Sequence, residues 1–351
     1  MNIRLHEMGW NAFFETRWNT LSQPELTPAR VVEELRGLYR VRTSEAEFLA
    51  EVVGKRRREG MGFPAVGDWV AVRPMPAART QIEHILPRKT KLSRKVVGRQ
   101  LREQVVGANL DTVFVVTSLN RDFNLRRIER YLTLVLEGGA RPVVLLNKAD
   151  LCADTTAFEA ELSTVAAGVP VHSLSARAVQ GLEILRQYIV YGETAAFVGS
   201  SGVGKSTIIN RLAQSSLPTG PVREADDRGR HTTTTRQMIF LQEGGMVIDT
   251  PGMRELQLWE SDDGVEKAFD DIASIGERCR FRNCNHQGEP GCAVEAAVES
   301  GGLERDRFES YRKLRAELAF QQRKIDPKAA KAQKEQWKKI HKAMRHNPKG
   351  K

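Results

Sequence analysis

Two short stretches hold residue types able to grip a phosphorylated nucleotide, and they stand in an unusual order. Gly199, Ser200, Ser201, Gly202, Val203, Gly204, Lys205 and Ser206 fit G-x-x-x-x-G-K-[ST], between the apolar run TAAFV and the helix-like KSTIINRLA. In that setting glycines let backbone N–H groups curl around phosphate oxygens, and the helix N-terminus adds a favourable potential. Lys205 is expected to reach the β- and γ-phosphates and Ser206 to ligate Mg2+, with Thr207 completing the stretch. Asp249-Thr-Pro-Gly252 follows the strand-like MVI. Asp249 would hold Mg2+ through water, and the Gly252 N–H would meet the γ-phosphate. Between them lies GRHTTTTR, where one of Thr232, Thr233, Thr234 or Thr235 would complete the metal shell; the spacing does not say which.

Asn147, Lys148, Ala149 and Asp150, at the end of the run VVLL, decide the base. The Asp150 carboxylate can accept two hydrogen bonds from the ring N–H and exocyclic amine of guanine. Adenine lacks that donor pair, so GTP and GDP are the expected ligands. Ser175 and Ala176, one strand later, would supply a backbone N–H to the guanine carbonyl. In the usual order the phosphate loop comes first, whereas here the base-reading loop precedes it. A parallel α/β sheet gathers the loops at the carboxyl ends of its strands into one crevice, so spatial adjacency matters and chain order does not. A circular permutation, cut between the D-x-x-G element and the strand DTVFVVTS, gives the order seen.

A second constellation is Cys279-x4-Cys284-x-His286-x5-Cys292. Three thiolates and one imidazole are a full tetrahedral set for one structural Zn2+ with no position left for a catalytic water. The remaining cysteine, Cys152, follows NKAD and reads as a structural thiol. Four cysteines, three of them within fourteen residues, suit a reducing compartment better than a disulfide framework.

The elements that must position these residues are legible from texture. DTVFVVTS, RPVVLL, PVHSL, TAAFV, QMIFL and MVID read as strands. DFNLRRIERYLTLVLEGG (capped by Asp122 or Asn124), GLEILRQYI and KSTIINRLA read as helices. The alternation signals a parallel α/β sheet. Upstream, LYRVRT, EFLAEVV, DWVAVRP and TQIEHILP have the length and spacing of a small all-β barrel of the OB type. Basic residues crowd it: Lys55, Arg56, Arg57, Arg58, Arg88, Lys89, Lys91, Arg94 and Lys95. Such a surface is either an RNA platform or a solvated face. The division expected is an N-terminal extension over 1–33, the barrel over 34–97, a permuted GTPase over 98–260, a mainly helical zinc domain over 261–323 and a basic tail over 324–351. That tail sets ten Lys/Arg against Asp326 and Glu335, and suits either a phosphate-lined groove or no fixed structure.

The whole chain of 351 residues carries a formal net charge of +10 and a pI near 9.5, which favours a polyanionic partner, nucleic acid before a membrane surface. No run approaches the ~20 apolar residues of a membrane helix. The N-terminal residues lack the apolar core of a signal peptide, so a cytoplasmic location is expected.

NKAD, GSSGVGKST, GRHTTT, DTPG and the cysteine cluster, in that order, resemble the bacterial ribosome small-subunit-dependent GTPase A family of circularly permuted GTPases. The likeness runs over roughly residues 35 to 325. It implies an OB barrel, a permuted GTPase and a zinc domain, and GTP hydrolysis stimulated by the small ribosomal subunit during its late maturation. The partners implied are that subunit and its rRNA, with no membrane, and the chain is expected to act as a monomer. Met253 stands where many GTPases carry a water-orienting glutamine after D-x-x-G, so intrinsic hydrolysis should be slow. His231 is the nearest candidate to orient water, against the blander reading of a solvated loop histidine. Two other classes compete: a constitutive RNA-binding protein whose nucleotide fold is only structural, and a GTPase serving another RNA or a membrane. Intact Lys205, Ser206, Asp249 and Asp150 argue against the first.

Overall fold

The computed structural model describes residues 4–35, 37–53, 62–76, 79–96, 102–119, 123–200, 202–213, 236–249 and 268–325. Ser201, His231, Thr232 to Thr235, Gly252, Met253, the Lys55–Arg58 run and the tail beyond residue 325 lie outside them. The chain folds as two units, 1–94 with 104–256, and 95–103 with 257–351.

In the first unit, five strands close into a barrel: β1 (Thr27–Glu34), β2 (Tyr39–Arg42), β3 (Glu47–Val52), β4 (Trp69–Met75) and β5 (Arg79–Ile85). β1 pairs antiparallel with both β2 and β4, and β3 runs parallel to β5, giving the closed order 1-2-3-5-4-1. Closure removes the sheet edges, and alternate side chains such as Tyr39 and Val41 fill the interior. The sequence placed the first barrel strand after residue 34. The structure starts it at Thr27, because β1 supplies the pairing that closes the ring. Before it, α1 (Ala12–Asn19) is capped by Asn11, whose Oδ1 accepts from the Phe13 N–H at 3.0 Å.

A hairpin of β6 (Lys91–Val96) and β7 (Arg102–Ala108) leads into the α/β part. Its strands are β8 (Thr112–Ser118), β9 (Arg141–Asn147), β10 (Val171–Ser173), β11 (Thr194–Val198), β12 (Arg236–Phe240) and β13 (Met246–Asp249). They lie in the order β10-β9-β8-β11-β13-β12, parallel except for β12. Every residue of β8 and β11 is buried, as expected of central strands covered on both faces. The helices are α2 (Leu125–Glu137), α3 (Thr156–Ser163) and α4 (Lys205–Ala213). Asn124 is the cap of α2, its side chain accepting from the Arg127 N–H at 2.9 Å. GLEILRQYI, expected as an α-helix, folds instead as a 3-10 helix over Leu182–Tyr188. Leu182, Leu185 and Tyr188 are its buried residues, three apart, which matches three residues per turn.

Barrel and α/β sheet are one hydrogen-bonded structure, because the end of β1 pairs with β12 at Glu33↔Gln237 and Glu34↔Arg236. An ion pair at 2.6 Å joins Glu34 to Arg236 there. Arg30 of β1 is buried to 1% exposure and knots the same junction. Its guanidinium donates to Met8 O, to Gly67 O at 3.3 Å, to Asn109 O at 3.3 Å and to Thr194 Oγ1 at 2.8 Å. Burial lowers its pKa to about 10, with Asp111 and Asp68 opposing, so the cation persists at neutral pH. Acceptors from four segments on a single charge leave a buried group costly to remove.

The second unit carries α5 (Asp270–Gly276), α6 (Ala293–Glu299) and α7 (Arg305–Ile325). Arg307 holds α7 to α5 through two bonds to the Asp271 carboxylate, at 2.6 and 2.7 Å. No helix among the described residues is long and apolar enough to cross a membrane.

Candidate functional site

β9, β10, β11 and β13 all run parallel, so their carboxyl ends lie on one side of the sheet. Asn147 ends β9, Ser175 and Ala176 follow β10, Gly199 follows β11 and Asp249 ends β13. The structure thus gathers at the carboxyl ends of adjacent strands the residues that the sequence scatters over a hundred positions, with the phosphate loop third in chain order.

The phosphate loop is built by close backbone approach. Gly199 sits at φ +143°, and a Cβ there would lie 2.1 Å from the Val116 carbonyl oxygen of β8. Gly204, at φ +101°, would put a Cβ 2.2 Å from the Asn147 amide nitrogen. Both positions therefore exclude any side chain. Lys205 opens α4 and turns its ammonium back over the loop, donating to Gly199 O at 2.7 Å and Ser200 O at 2.5 Å. These bonds fix the direction of a flexible four-carbon stem. Ser206 and Thr207 are exposed in the first turn of α4.

Asn147 ties this loop to the base-reading loops. It is 2% exposed; its Nδ2 donates to Val203 O at 2.7 Å, and its Oδ1 accepts from the Ala176 N–H at 3.0 Å. Asn147, which the sequence places at the ligand, bridges two protein loops through its side chain. Lys148 follows in the left-handed region at φ +65°. Asp150 is exposed, and the buried Ser175 hydroxyl donates to its Oδ1 at 2.5 Å while accepting from the Ala178 N–H at 3.0 Å. The carboxylate is oriented by a neighbour that is itself held.

Sequence reasoning missed Arg127, whose Nη1 donates to Ser200 Oγ at 2.5 Å. A signal was present. Arg126 and Arg127 occupy the first turn of α2, where the helix dipole disfavours cations, which points to a role outside the helix.

In the second unit, the ligating atoms of Cys279, Cys284, His286 and Cys292 all lie within 4.8 Å of one another. His286 Nδ1 is 3.3 Å from Cys292 Sγ and 3.7 Å from Cys279 Sγ, and those two sulfurs are 4.0 Å apart. A tetrahedron with metal–sulfur bonds of about 2.3 Å has edges of about 3.8 Å, so the donor set fits a single ion. Burial lowers the His286 pKa, keeping the imidazole neutral and able to ligate. Burial pushes the Cys284 thiol up to about 12, with Cys292 and Cys279 reinforcing it, so a cation held there is what would release that proton. Backbone N–H groups of Ala293 and Glu295 point at Cys279 and Cys292 Sγ, at 3.3 and 3.5 Å. The cluster can hold a metal ion.

The model of the RsgA GTPase family matches residues 85–259. A protein of Opitutus terrae named small ribosomal subunit biogenesis GTPase RsgA is 43% identical over 357 residues, covering 98% of this chain and 97% of that protein. One of the same name from Methanosarcina acetivorans is 42% identical, over 95% of this chain and 90% of its own. Among solved structures, YjeQ from Thermotoga maritima aligns with a TM-score of 0.63 at 29% identity, covering 84% of this chain and 98% of that one. YloQ, described as a circularly permuted GTPase, has the same fold at 23% identity and a TM-score of 0.60, over 85% of this chain and 96% of that one.

Proposed function

Because this chain belongs to the RsgA GTPase family, we propose that it hydrolyses GTP during biogenesis of the small ribosomal subunit, bound to that subunit and its rRNA in the cytoplasm. The observation that carries the reading is the Asn147 bridge. One buried amide locks the phosphate loop to the loops expected to read guanine, so a permuted chain still presents a single site. Turnover by the intact protein, with and without purified small subunits, tests the reading as a whole.

Gly199 to Gly204 and Lys205 would cradle the phosphates, and Asp150 would read the base; the Ala176 N–H, which donates to Asn147 Oδ1, would reach the guanine carbonyl only by exchanging that partner. Ser206 and Asp249 would hold Mg2+, which supplies charge neutralisation for the β- and γ-oxygens. His231 is the residue we assign to orient the attacking water. The Cys279, Cys284, His286 and Cys292 set would hold one structural Zn2+, for the donor types and the tetrahedral edge lengths suit it.

Asp150→Asn should weaken GTP binding and move preference toward xanthosine triphosphate, because an amide can donate to the second carbonyl of xanthine. Competition of labelled GTP by the two nucleotides reads this. Unchanged affinity and selectivity would remove Asp150 from the base pocket.

A further inference from the structure

The arginines described on the barrel are already engaged. Arg40 pairs with Glu33, Arg42 with Glu47, Arg73 with Glu25 and Glu83, Arg79 with Glu51, and Arg88 grips Asp68 through two bonds of 2.7 Å. A cation neutralised by a carboxylate has little left to gain from a phosphate, so among the described residues the strands of the barrel are a weaker RNA platform than their basic composition suggested.

The cysteine knuckle is different. Its first turn reads Arg278-Cys-Arg280-Phe281-Arg282, and all three arginines are exposed without an ion pair among the described residues. Phe281 stands between them 41% exposed, with the Arg280 guanidinium 5.6 Å from its ring centroid. The turn is held by the knuckle itself. The Arg280 N–H donates to Gly291 O at 3.1 Å, and the Cys284 N–H donates to Phe281 O at 3.2 Å, in the span that aligns the ligating sulfurs. Glu289 accepts from the Asn285 and Gln287 N–H groups at 2.9 and 2.6 Å, and Glu277 is the other acid of the segment. An aromatic face set out in water among three guanidiniums that form no ion pair among the described residues is a poor arrangement for folding. It suits a flat, electron-rich group flanked by anions.

We propose that Phe281, with Arg278, Arg280 and Arg282, is a docking point for an unpaired nucleobase of RNA. The base stacks on the Phe281 ring and the guanidiniums take the adjoining phosphates. A stacked duplex offers no free base face, and an acidic protein segment has no use for the ring, so unpaired RNA is the occupant that uses every part of the surface. The inference rests on the reading that this chain works on RNA, and places one contact outside both the barrel and the tail.

The test uses the full-length, metal-loaded protein and a single-stranded RNA of about eight nucleotides carrying 5-iodouridine, a length within the range of known single-strand sites. Irradiation should cross-link the RNA to Phe281, mapped by mass spectrometry. In anisotropy titrations Phe281→Ala and Phe281→Leu should each weaken binding about tenfold, Phe281→Trp should restore it, and metal content and basal GTP turnover should not change. Replacing the three arginines by glutamine should flatten the slope of log K against log[salt] by about 2, from about 0.7 per phosphate contact on single strands. Cross-links confined to the tail, or Phe281→Leu binding like the wild type, would overturn the proposal, as would equal competition by a polyglutamate peptide. If these fail while small subunits still stimulate GTP turnover, only this docking point is lost. If stimulation is absent as well, the ribosomal reading falls with it.

Discussion

Lys205→Ala is expected to lower GTP turnover by on the order of 10²–10³-fold, the cost of removing one preorganised charge donor from a developing phosphoryl charge. The ammonium is aimed by the carbonyls of Gly199 and Ser200 at 2.7 and 2.5 Å. Alanine loses both the charge and the link that holds the loop curled, so kcat and nucleotide affinity should fall together. Lys205→Arg should not rescue turnover, because a planar five-donor fork cannot fill the place of a compact ammonium held between the Gly199 and Ser200 carbonyls. Thermal unfolding should be nearly unchanged, since Lys205 is only half-buried and belongs to no apolar cluster. Single-turnover rates at saturating GTP, alongside melting curves, read both quantities. A variant that turns over normally would mean that the loop holds phosphate without its lysine.

Cys284→Ala should release the bound metal and unfold the helices of the second unit while leaving nucleotide binding by the first intact. Around the cluster, over the described residues 268–325, the buried apolar side chains include Ile272, Val294, Leu303 and Phe308. A stretch of that length seldom supplies more than about 3–5 kcal/mol from its own core. Structural Zn2+ binding is worth about 10–16 kcal/mol near neutral pH, so folding and metal occupancy should be lost together. Elemental analysis should fall from one Zn2+ per chain to none, far-ultraviolet circular dichroism should lose helix, and GTP affinity should stay within about twofold. Full zinc content in the variant would exclude Cys284 from the ligand set.

The strands that carry the nucleotide site were legible because they are short, apolar and buried on both faces, so DTVFVVTS and TAAFV need no context to be read. The capping of α2 by Asn124 was likewise a local signal. What escaped was set by distant partners. β1 contains Pro28 and ends in Glu33 and Glu34, poor strand text. It is held as a strand by β4, some forty residues on, and at its end by β12, two hundred residues on. The spacing of Leu182, Leu185 and Tyr188 fits an α-helical stripe and a 3-10 turn alike, and packing against the core decided for the tighter form. Site residues were found by motif, yet their division of labour was not. Nothing local tells that Asn147 bridges loops, that Ser175 aims Asp150, or that Arg127 reaches Ser200. Basic composition was legible as well, but which arginines are neutralised depends on the strand facing each one.

The coupling at issue runs between a permuted guanine-nucleotide site and the small ribosomal subunit. It is tested most directly by measuring GTP turnover of the intact protein across a salt series, with and without purified small subunits. Turnover should be slow alone and almost independent of salt. With limiting subunits it should rise strongly at low salt, then fall steeply as salt increases, because each phosphate contact releases counterions. No stimulation by small subunits at low salt, from protein that binds GTP normally, would contradict the account.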